Sequence, residues 1–371
     1  MKLTSYIKLG LLPLLAAVVI ASCKKDEPET ETVTEVKWDT TAYVLNYGSF
    51  PDPQIPADNS LTKAKVYLGR LLFFDKRLSN DLTLSCASCH KQEDAFSDIR
   101  KFSVGTAGLE GGRQAMAVFN LAWHKNGFFW DGRAPRLRDQ ALLPIQDPLE
   151  MNETLANVVA KVSSVKTYQD QFKRAFGSEE VTSEKISLAL EQYMFTLVSM
   201  NSKYDQYLAG SATLTDSEER GRKLFFDEFN QFFPDQSGAD CAHCHSGPNF
   251  TNDQFMNNGL DSDAEFVDLG LEKVTGLASD RAKFKVPSLR NIDLTPPYMH
   301  DGRFATLEQA VDHYNSGVKQ SSTLDGGIQN TIATGLMLSP QDKADLVAFM
   351  KTLTDQEFIS KSEYSDPNNP L

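Results

Sequence analysis

Apolar side chains recur at helical spacing through most of the chain, and we find no set of segments in which apolar and polar positions alternate as in strands. The stretch from Ser183 to Leu208 has the period of one long helix that closes the first half. Thr215-x-x-Glu218 and Thr306-x-x-Gln309 have the form of capping boxes, and Ser339-Pro340 predicts a helix running to about Leu353. Segments rich in Gly, Asp, Ser and Thr predict loops at 261–280 and 321–334. The pattern therefore predicts a mainly α fold.

A different apolar run lies near the start of the chain. Two lysines precede the apolar residues from Leu9 to Ile20, and Ala21-Ser22-Cys23 follows. This order resembles a bacterial lipoprotein signal over residues 1–22, with Cys23 as the acylated first residue of the mature chain. An ordinary signal peptide with an incidental cysteine is the alternative. Residues 23–40, charged and rich in Glu and Thr, predict a flexible tether. We expect a protein on the periplasmic side of the cell envelope, held to a membrane by lipid alone.

The remaining sequence repeats itself. Gly-Arg-Leu-Leu-Phe-Phe-Asp at 69–75 returns as Gly-Arg-Lys-Leu-Phe-Phe-Asp at 221–227, and Asp-Gly-Arg at 131–133 returns at 301–303. Because the shared elements keep their order, we expect two copies of one unit, which also suits a chain too long for a single average domain. The predicted domains are residues 41–209 and 210–360.

Composition narrows the functions that two such units can carry. The chain has 371 residues and a formal net charge of -13, and its pI is near 5.0. Nucleic-acid binding is not expected, because it needs a basic surface that displaces counterions from phosphates, whereas an acidic surface suits a basic protein partner. Apart from Cys23, the four remaining cysteines leave none for a structural disulfide, since they form Cys86-Ala-Ser-Cys89-His90 and Cys241-Ala-His-Cys244-His245.

Both cysteine motifs have the form Cys-x-x-Cys-His, which is typical of covalent haem c attachment. The two thiols add to the haem vinyl groups and the adjacent imidazole binds iron, so His90 and His245 are the predicted proximal ligands. A four-thiolate zinc site normally has its cysteine pairs much closer in sequence, and a thioredoxin-like pair needs a strand–helix context that we do not find. The sequence predicts one covalently bound haem in each unit.

The two units differ in what they place opposite the proximal histidine. When the halves are aligned at Gln140 and Gln309, Pro144-Ile145 falls against His313-Tyr314. Proline cannot bind iron, whereas tyrosine and histidine can, so we expect an open first haem and a second haem with two protein ligands. The leading candidate for the second ligand is Tyr314, followed by Met337, Met299 and His313.

Two polar side chains follow Trp130 in the first unit and suit chemistry on hydrogen peroxide. Glu150 could carry a proton between the two peroxide oxygens, and Gln140 could orient the peroxide by hydrogen bonding. Either residue could equally lie on the surface.

Over nearly the whole mature chain, these motifs resemble the bacterial di-haem cytochrome c peroxidases and the related di-haem enzyme that matures methylamine dehydrogenase. The resemblance implies that the first haem reacts with peroxide and that the second receives electrons from a small cytochrome or cupredoxin. It implies that Trp130 is the electron bridge between the haems and that Glu150 and Gln140 are the catalytic pair. It also implies a calcium ion near the haem interface, although the family usually has asparagine at the first of its positions here, which are Gln114, Thr295 and Pro297.

Three positions depart from the family pattern. Many members have a histidine that blocks the first iron until the second haem is reduced, but the loop at 103–108 has none, which predicts activity without reductive activation. Tyr314 stands where other peroxidases of the family have methionine and the maturation enzyme has tyrosine, and an anionic oxygen ligand predicts a lower potential. Ala239 stands where the maturation enzyme has a surface tryptophan.

We therefore expect a peroxidase that reduces hydrogen peroxide with electrons from a small reduced cytochrome or cupredoxin. One alternative is an oxidase of a protein or organic substrate, which Tyr314 favours. The other is a di-haem electron carrier without catalysis, which would need two protein ligands on both irons. A homodimer is compatible with the sequence, which identifies neither the electron donor nor the oligomeric state.

Overall fold

The computed structural model of this chain describes residue 1 and residues 36–368. Contacts within the chain divide it into two units, Met1–Glu35 and Val36–Leu371, and the fold below is that of the second unit. The predicted lipoprotein signal, Cys23 and most of the predicted tether lie outside the described residues. Within the described part of the chain, no helix has both the length and the apolar character needed to cross a membrane.

The described residues are mainly helical, as predicted, and carry one short antiparallel strand pair. The strands are β1 (Phe255–Met256) and β2 (Phe284–Lys285), with Phe255 opposite Lys285. A π-helix at His313–Gly317 follows one of the α-helices. The α-helices are α1 (Lys63–Phe73), α2 (Cys86–Cys89), α3 (Leu137–Gln146), α4 (Leu155–Ser163), α5 (Lys166–Phe176), α6 (Ser183–Thr196), α7 (Lys203–Leu208), α8 (Asp216–Phe226), α9 (Glu272–Thr275), α10 (Leu307–Asp312), α11 (Gly326–Gln329), α12 (Pro340–Lys351) and α13 (Gln356–Ser360). Single 3-10 turns lie at Ala57–Asn59, Lys76–Leu78, Gln92–Asp94, Leu121–Trp123, Pro234–Gln236, Cys241–His243, Ala278–Asp280, Ile292–Leu294 and Ser362–Tyr364.

Each half contains one close helix crossing at a glycine of the repeated sequence. A Cβ atom on Gly69 of α1 would lie 1.9 Å from the carbonyl oxygen of Ala189 on α6. A Cβ atom on Gly221 of α8 would lie 1.8 Å from the carbonyl oxygen of Asp345 on α12. Only glycine lets the two backbones approach this closely. The repeated glycine is therefore a packing element in both halves.

A hydrophobic core surrounds each crossing. In the first half it includes Leu68 and Phe73, and in the second half Phe225 and Phe349. Phe358 of α13 belongs to the first core, so α13 packs against the first half. The domain boundary between residues 209 and 210 stays a prediction.

The long helix predicted from Ser183 to Leu208 is wrong, because α6 ends at Thr196 and α7 begins at Lys203. Other parts of the chain bond the backbone between them and hold it outside a helix. The side chain of Asn120 accepts a hydrogen bond from Ser199 N at 2.9 Å and donates one to Ser199 O at 3.0 Å. A carboxylate oxygen of Asp355 accepts from the next two amides at 2.9 Å each.

The predicted helix starts are confirmed. Thr215 and Thr306 form capping boxes at the starts of α8 and α10, and Ser339 forms one at the start of α12. The last of these helices ends at Lys351, close to the predicted end. The predicted loops at 261–280 and 321–334 are mostly irregular and hold the short helices α9 and α11.

Candidate active site

The first Cys-x-x-Cys-His motif presents a histidine whose ring nitrogens have distinct roles. Cys86 and Cys89 are the first and last residues of α2, and His90 follows them. His90 Nδ1 lies 2.9 Å from the carbonyl oxygen of Phe96. A carbonyl only accepts hydrogen bonds, so the proton is on Nδ1 and the Nε2 lone pair is free. Burial lowers the pKa of His90, which favours the neutral imidazole that binds a metal.

The second motif has the same arrangement. Cys241 begins a 3-10 turn and Cys244 caps it. His245 Nδ1 lies 3.2 Å from the carbonyl oxygen of Phe250 and 3.1 Å from that of Pro287. Burial lowers the pKa of His245 to about 4, so this imidazole is neutral as well. Each motif thus offers two thiols and one free imidazole nitrogen.

A cavity of about 680 Å³ joins the first motif to the second half of the chain. Cys89 and His90 line it from the first half, and Pro287 and Met299 line it from the second. A smaller cavity of about 60 Å³ adjoins it and is lined by Cys86 and Pro144. Several residues predicted to act at the first haem or to hold calcium line the larger cavity, namely Trp130, Gln140, Pro144, Glu150, Gln114, Thr295 and Pro297.

Trp130 is held by both halves of the chain. Its side chain is 8% exposed, and its Nε1 donates to the carbonyl oxygen of Gln114 at 2.8 Å. The amide of Lys285, in β2, donates to the carbonyl oxygen of Trp130 at 2.8 Å. The amide of Gln114 in turn donates to the carbonyl oxygen of His300 at 2.8 Å. The indole therefore sits where the two halves meet.

Helix α3 carries Gln140 and Pro144, and an ionic cluster around the buried Arg138 fixes its first turn. Arg138 is 8% exposed and bonds Glu191 of α6, which is 1% exposed, with a nitrogen–oxygen distance of 2.9 Å. The same guanidinium bonds Asp58 at 2.8 Å. The cluster was not predicted, because no short-range sequence signal links residues so far apart in the chain.

Glu150 follows α3 and lines both cavities. Its pKa is raised to about 7, mainly by burial and in part by the nearby Asp147, while Arg133 opposes the rise. The carbonyl of Glu150 accepts a hydrogen bond from Thr106 N at 2.8 Å. A Cβ atom on Gly105 would lie 2.2 Å from the carbonyl oxygen of Leu149. The histidine-free loop at 103–108 therefore packs directly against the backbone of the predicted proton carrier.

The structure corrects the register in which the halves were aligned. The backbone bridge between Phe128 and Ala134 recurs between Tyr298 and Phe304, and the helix that follows begins at Leu137 in one half and at Leu307 in the other. In both features, the equivalent residues of the two halves are 170 positions apart in the sequence, whereas Gln140 and Gln309 are 169 positions apart. The structural register sets Pro144 directly against Tyr314. The alignment failed by one position because Gln140 and Gln309 are not equivalent.

Tyr314 lies in the π-helix and has a polar partner inside the second half. Its hydroxyl oxygen accepts a hydrogen bond from Asn258 Nδ2 at 3.2 Å, and the same amide nitrogen lies 3.3 Å from Met299 Sδ. Burial raises the pKa of Tyr314 to about 12. His313 Nε2 donates to the carbonyl of Asn258 at 3.0 Å, and Met337 is 38% exposed. Tyr314 and Met299 are thus brought together, and which residue binds the second iron stays a prediction.

Comparisons with known proteins identify the family to which the chain belongs. The family described as di-haem cytochrome c peroxidase matches residues 63–213, and the family described as cytochrome c matches residues 218–354. The chain is 36% identical to cytochrome c551 peroxidase of Nitrosomonas europaea, over 81% of this chain and 83% of that protein. It is 35% identical to methylamine utilization protein MauG of Methylophilus methylotrophus, over 80% of this chain and 84% of that protein. The chain belongs to the di-haem cytochrome c peroxidase family.

A solved structure in this family shares the fold. It is a MauG-like protein associated with microbial copper homeostasis, 36% identical to this chain, with a TM-score of 0.80 over 88% of this chain and 100% of that one. Membership in the di-haem cytochrome c peroxidase family implies haem c. The residues of the two motifs fit haem c. Each motif has two thiols at the Cys-x-x-Cys spacing and an imidazole whose free Nε2 is the usual iron ligand.

The calcium site implied by the resemblance stays a prediction in this family member. The side-chain amide of Gln114 donates to Asp98 O at 3.1 Å and to Ser97 Oγ at 3.3 Å. Gln114, Thr295 and Pro297 line the same cavity. They offer the oxygen ligands that calcium prefers.

Two sets of ionic contacts that the sequence did not predict join the halves of this chain. His124 Nδ1 lies 2.8 Å from Asp253, which also accepts from the buried Lys285 at 2.5 Å. In the acidic loop at 261–268, Asp268 bonds Arg113 at 2.7 Å. Both contacts pair residues that are far apart in the sequence, so spacing could not predict them.

Proposed function

We propose that this chain is a cytochrome c peroxidase that reduces hydrogen peroxide to water with electrons from a small reduced cytochrome or cupredoxin. The observation that carries the proposal is the set of residues that line the cavity with Glu150. A carboxyl group with a pKa of about 7 lines one cavity with His90 and Gln140, and proline stands at the position that Tyr314 has in the other half. These residues suit proton transfer to and from peroxide at an iron that has no second protein ligand.

When bound, haem iron would supply the redox chemistry of the reaction. The chain's own residues prepare and protonate the substrate. The proton on His90 Nδ1 is held by Phe96 O, so Nε2 is the atom that would hold the haem iron. Pro144, which lines the cavity with His90, offers no atom that would bind iron and would leave room there for peroxide. The amide of Gln140 donates a hydrogen bond to a peroxide oxygen and limits its orientation.

Glu150 carries the proton that the reaction has to move. It would accept the proton of one peroxide oxygen and return it to the other, which leaves as water when the O–O bond breaks. Two further protons and two electrons complete the second water, so the balance is one peroxide, two protons and two electrons to two waters. A carboxyl with pKa near neutrality suits both directions, because neither form is strongly favoured at pH 7.

The second half supports electron entry in this proposal. Two protein ligands on the second iron, His245 and Tyr314, would leave no free face and suit electron transfer. Trp130, held by groups of both halves, is the bridge to the first site. We also propose attachment to a membrane on the periplasmic side through lipid on Cys23, and a calcium ion at Gln114, Thr295 and Pro297.

The test is peroxide-dependent oxidation of a reduced small c-type cytochrome by the as-isolated, fully oxidised protein. Rapid turnover is expected, and Trp130→Phe should slow it with both haem spectra kept. Absence of turnover, before and after half reduction, would refute the proposal. If peroxide also left the haem spectrum unchanged, the electron-carrier alternative would remain.

A second candidate is an oxidase of a protein or organic substrate. Tyr314 favours it, as does the 36% identity to a MauG-like protein of known structure. It predicts a peroxide-induced change in the haem spectrum with no oxidation of the cytochrome, which the same assay distinguishes.

A further inference from the structure

The segment from Asp227 to Asp240 links α8 to the second haem-binding motif and holds two aromatic side chains in solvent. Phe232 is 78% exposed and Phe233 is 61% exposed. Phe226, at the end of α8, is 37% exposed. Apolar side chains exposed together are costly in water, and such patches mark interaction sites. We call residues 227–240 the Phe loop.

Hydrogen bonds build the Phe loop into a defined shape. At its base, Gly238 N donates to Glu228 O at 2.8 Å and Asp240 N donates to Asp227 O at 3.0 Å. At its tip, Asn230 Oδ1 accepts hydrogen bonds from Phe232 N at 3.0 Å and from Phe233 N at 3.1 Å. The turn therefore fixes the backbone that bears both rings, and the rings project from it rather than folding into the core of the second half.

The charge of the Phe loop is of one sign. It contains no lysine or arginine, and its acidic residues are Asp227, Glu228, Asp235 and Asp240. The equivalent segment of the first half contains Lys76 and Arg77 and turns Leu78 into the core, where it is 0% exposed. The Phe loop has 13 residues between its first Asp and the motif, against 10 in the first half. The equivalent segment of the first half, residues 76–85, contains no aromatic residue, so the exposed aromatic side chains distinguish the Phe loop from it.

The Phe loop ends at Cys241, the first residue of the motif that binds the second haem. Asp240 O accepts a hydrogen bond from His243 N at 3.2 Å, so the base of the loop touches the motif itself. The imidazole of His243 is 45% exposed. A redox protein seated on this loop would face the part of the chain where the second haem is attached.

We propose that the Phe loop is the docking surface for a small c-type cytochrome with a ring of lysines around an apolar haem edge. The inference rests on the proposed function, in which the second haem receives electrons. Phe232 and Phe233 fill the apolar centre of the interface, where aromatic side chains contribute most to affinity. The four carboxylates attract the lysine ring, which raises the association rate more than the affinity.

The experiment follows electron transfer from a reduced basic mitochondrial-type cytochrome c to the oxidised second haem by stopped flow, with no peroxide present. The double variant Phe232→Ala/Phe233→Ala should lower the second-order rate constant by about tenfold or more, as expected for loss of interface anchors. Ascorbate with a small mediator should reduce the variant at the wild-type rate. The matched control is Leu277→Ala, whose side chain is 57% exposed in the same half.

The charge is tested in the same assay. Glu228→Gln/Asp235→Asn should weaken the fall of the rate constant with ionic strength, since fewer charges are then screened. Glu179→Gln, 48% exposed in the first half, should not. Equal rates for wild type and the double phenylalanine variant would overturn the proposal. So would a dimer that this variant converts to monomer in sedimentation, since a second copy would then cover the loop. Because no peroxide is used, failure of the peroxidase proposal would leave these results unchanged.

Discussion

Replacement of Glu150 by glutamine isolates the proton-carrying step from the shape of the site. Glutamine keeps the size and one carbonyl oxygen but cannot take up a proton at neutral pH. General acid–base catalysis by one positioned group contributes about 10²–10⁴-fold, so we expect kcat/KM for peroxide to fall by that factor in Glu150→Gln. The haem absorption spectrum should not change, because Glu150 is not a predicted ligand.

The pH dependence carries the sharper test. The pKa of Glu150 is raised to about 7, and the deprotonated form is the base that starts the reaction. Wild-type kcat/KM should therefore rise with pH through an inflection near 7 and level off above it. The inflection should vanish in Glu150→Gln.

Two neighbours move the inflection in opposite directions. Asp147 raises the pKa of Glu150, so Asp147→Asn should shift the inflection to lower pH. Arg133 lowers that pKa, so Arg133→Gln should shift it to higher pH. The assay is peroxide consumption with a saturating small-molecule donor between about pH 5 and pH 9, a range that brackets the titration. A profile that is the same in Glu150→Gln and wild type, or neighbour shifts of the wrong sign, would refute the assignment.

The remaining predictions concern the second iron, the resting state and the fold. Tyr314→Phe should alter the absorption spectrum of the second haem, and an unchanged spectrum would remove Tyr314 as a ligand. Because the loop at 103–108 has no histidine, the fully oxidised protein should react with peroxide at once; a low-spin, unreactive resting state in electron paramagnetic resonance would contradict this. Gly69→Ala would put a methyl group 1.9 Å from Ala189 O, so it should destabilise the protein by about 1–3 kcal/mol or more in denaturant titration. Gly326→Ala, which meets no heavy atom within 4 Å, is the control.

The features that the sequence predicts well are local. The Cys-x-x-Cys-His motifs combine neighbouring residues in a spacing that matches the haem, and capping boxes such as the one at Thr215 bond groups three residues apart. Repetition added one longer-range fact, since two ordered copies of the same elements predict two copies of the same unit. The sequence shows that Gly69 recurs as Gly221, but only the structure shows that two helices cross at each of these glycines.

The features that the sequence did not predict depend on contacts between distant parts of the chain. The helix at Ser183 stops at Thr196 because Asn120 and Asp355 bond the backbone that follows, and neither is near it in sequence. The ion pair between Glu191 and Arg138 of α3 likewise joins residues that are far apart in the sequence. Periodicity records which faces are apolar, but it does not record when a distant side chain offers the backbone a better partner.

For the comparison of the two sites, the equivalence of Pro144 and Tyr314 matters more than any single contact. Tyr314 occupies the position in the second half that Pro144 occupies in the first, so the proposed difference between an open and a closed site would depend on the residue type at one position. Both positions follow an Asp-Gly-Arg turn and a helix start that the halves share, so the scaffold that presents them is the same. Two sites with distinct chemistry can then arise from a duplicated unit without any change of fold, provided that the side chain at this position either binds iron or cannot. Glu150, the proposed proton carrier, lies beyond the helical segment that the halves share, whereas Gln140 lies within it.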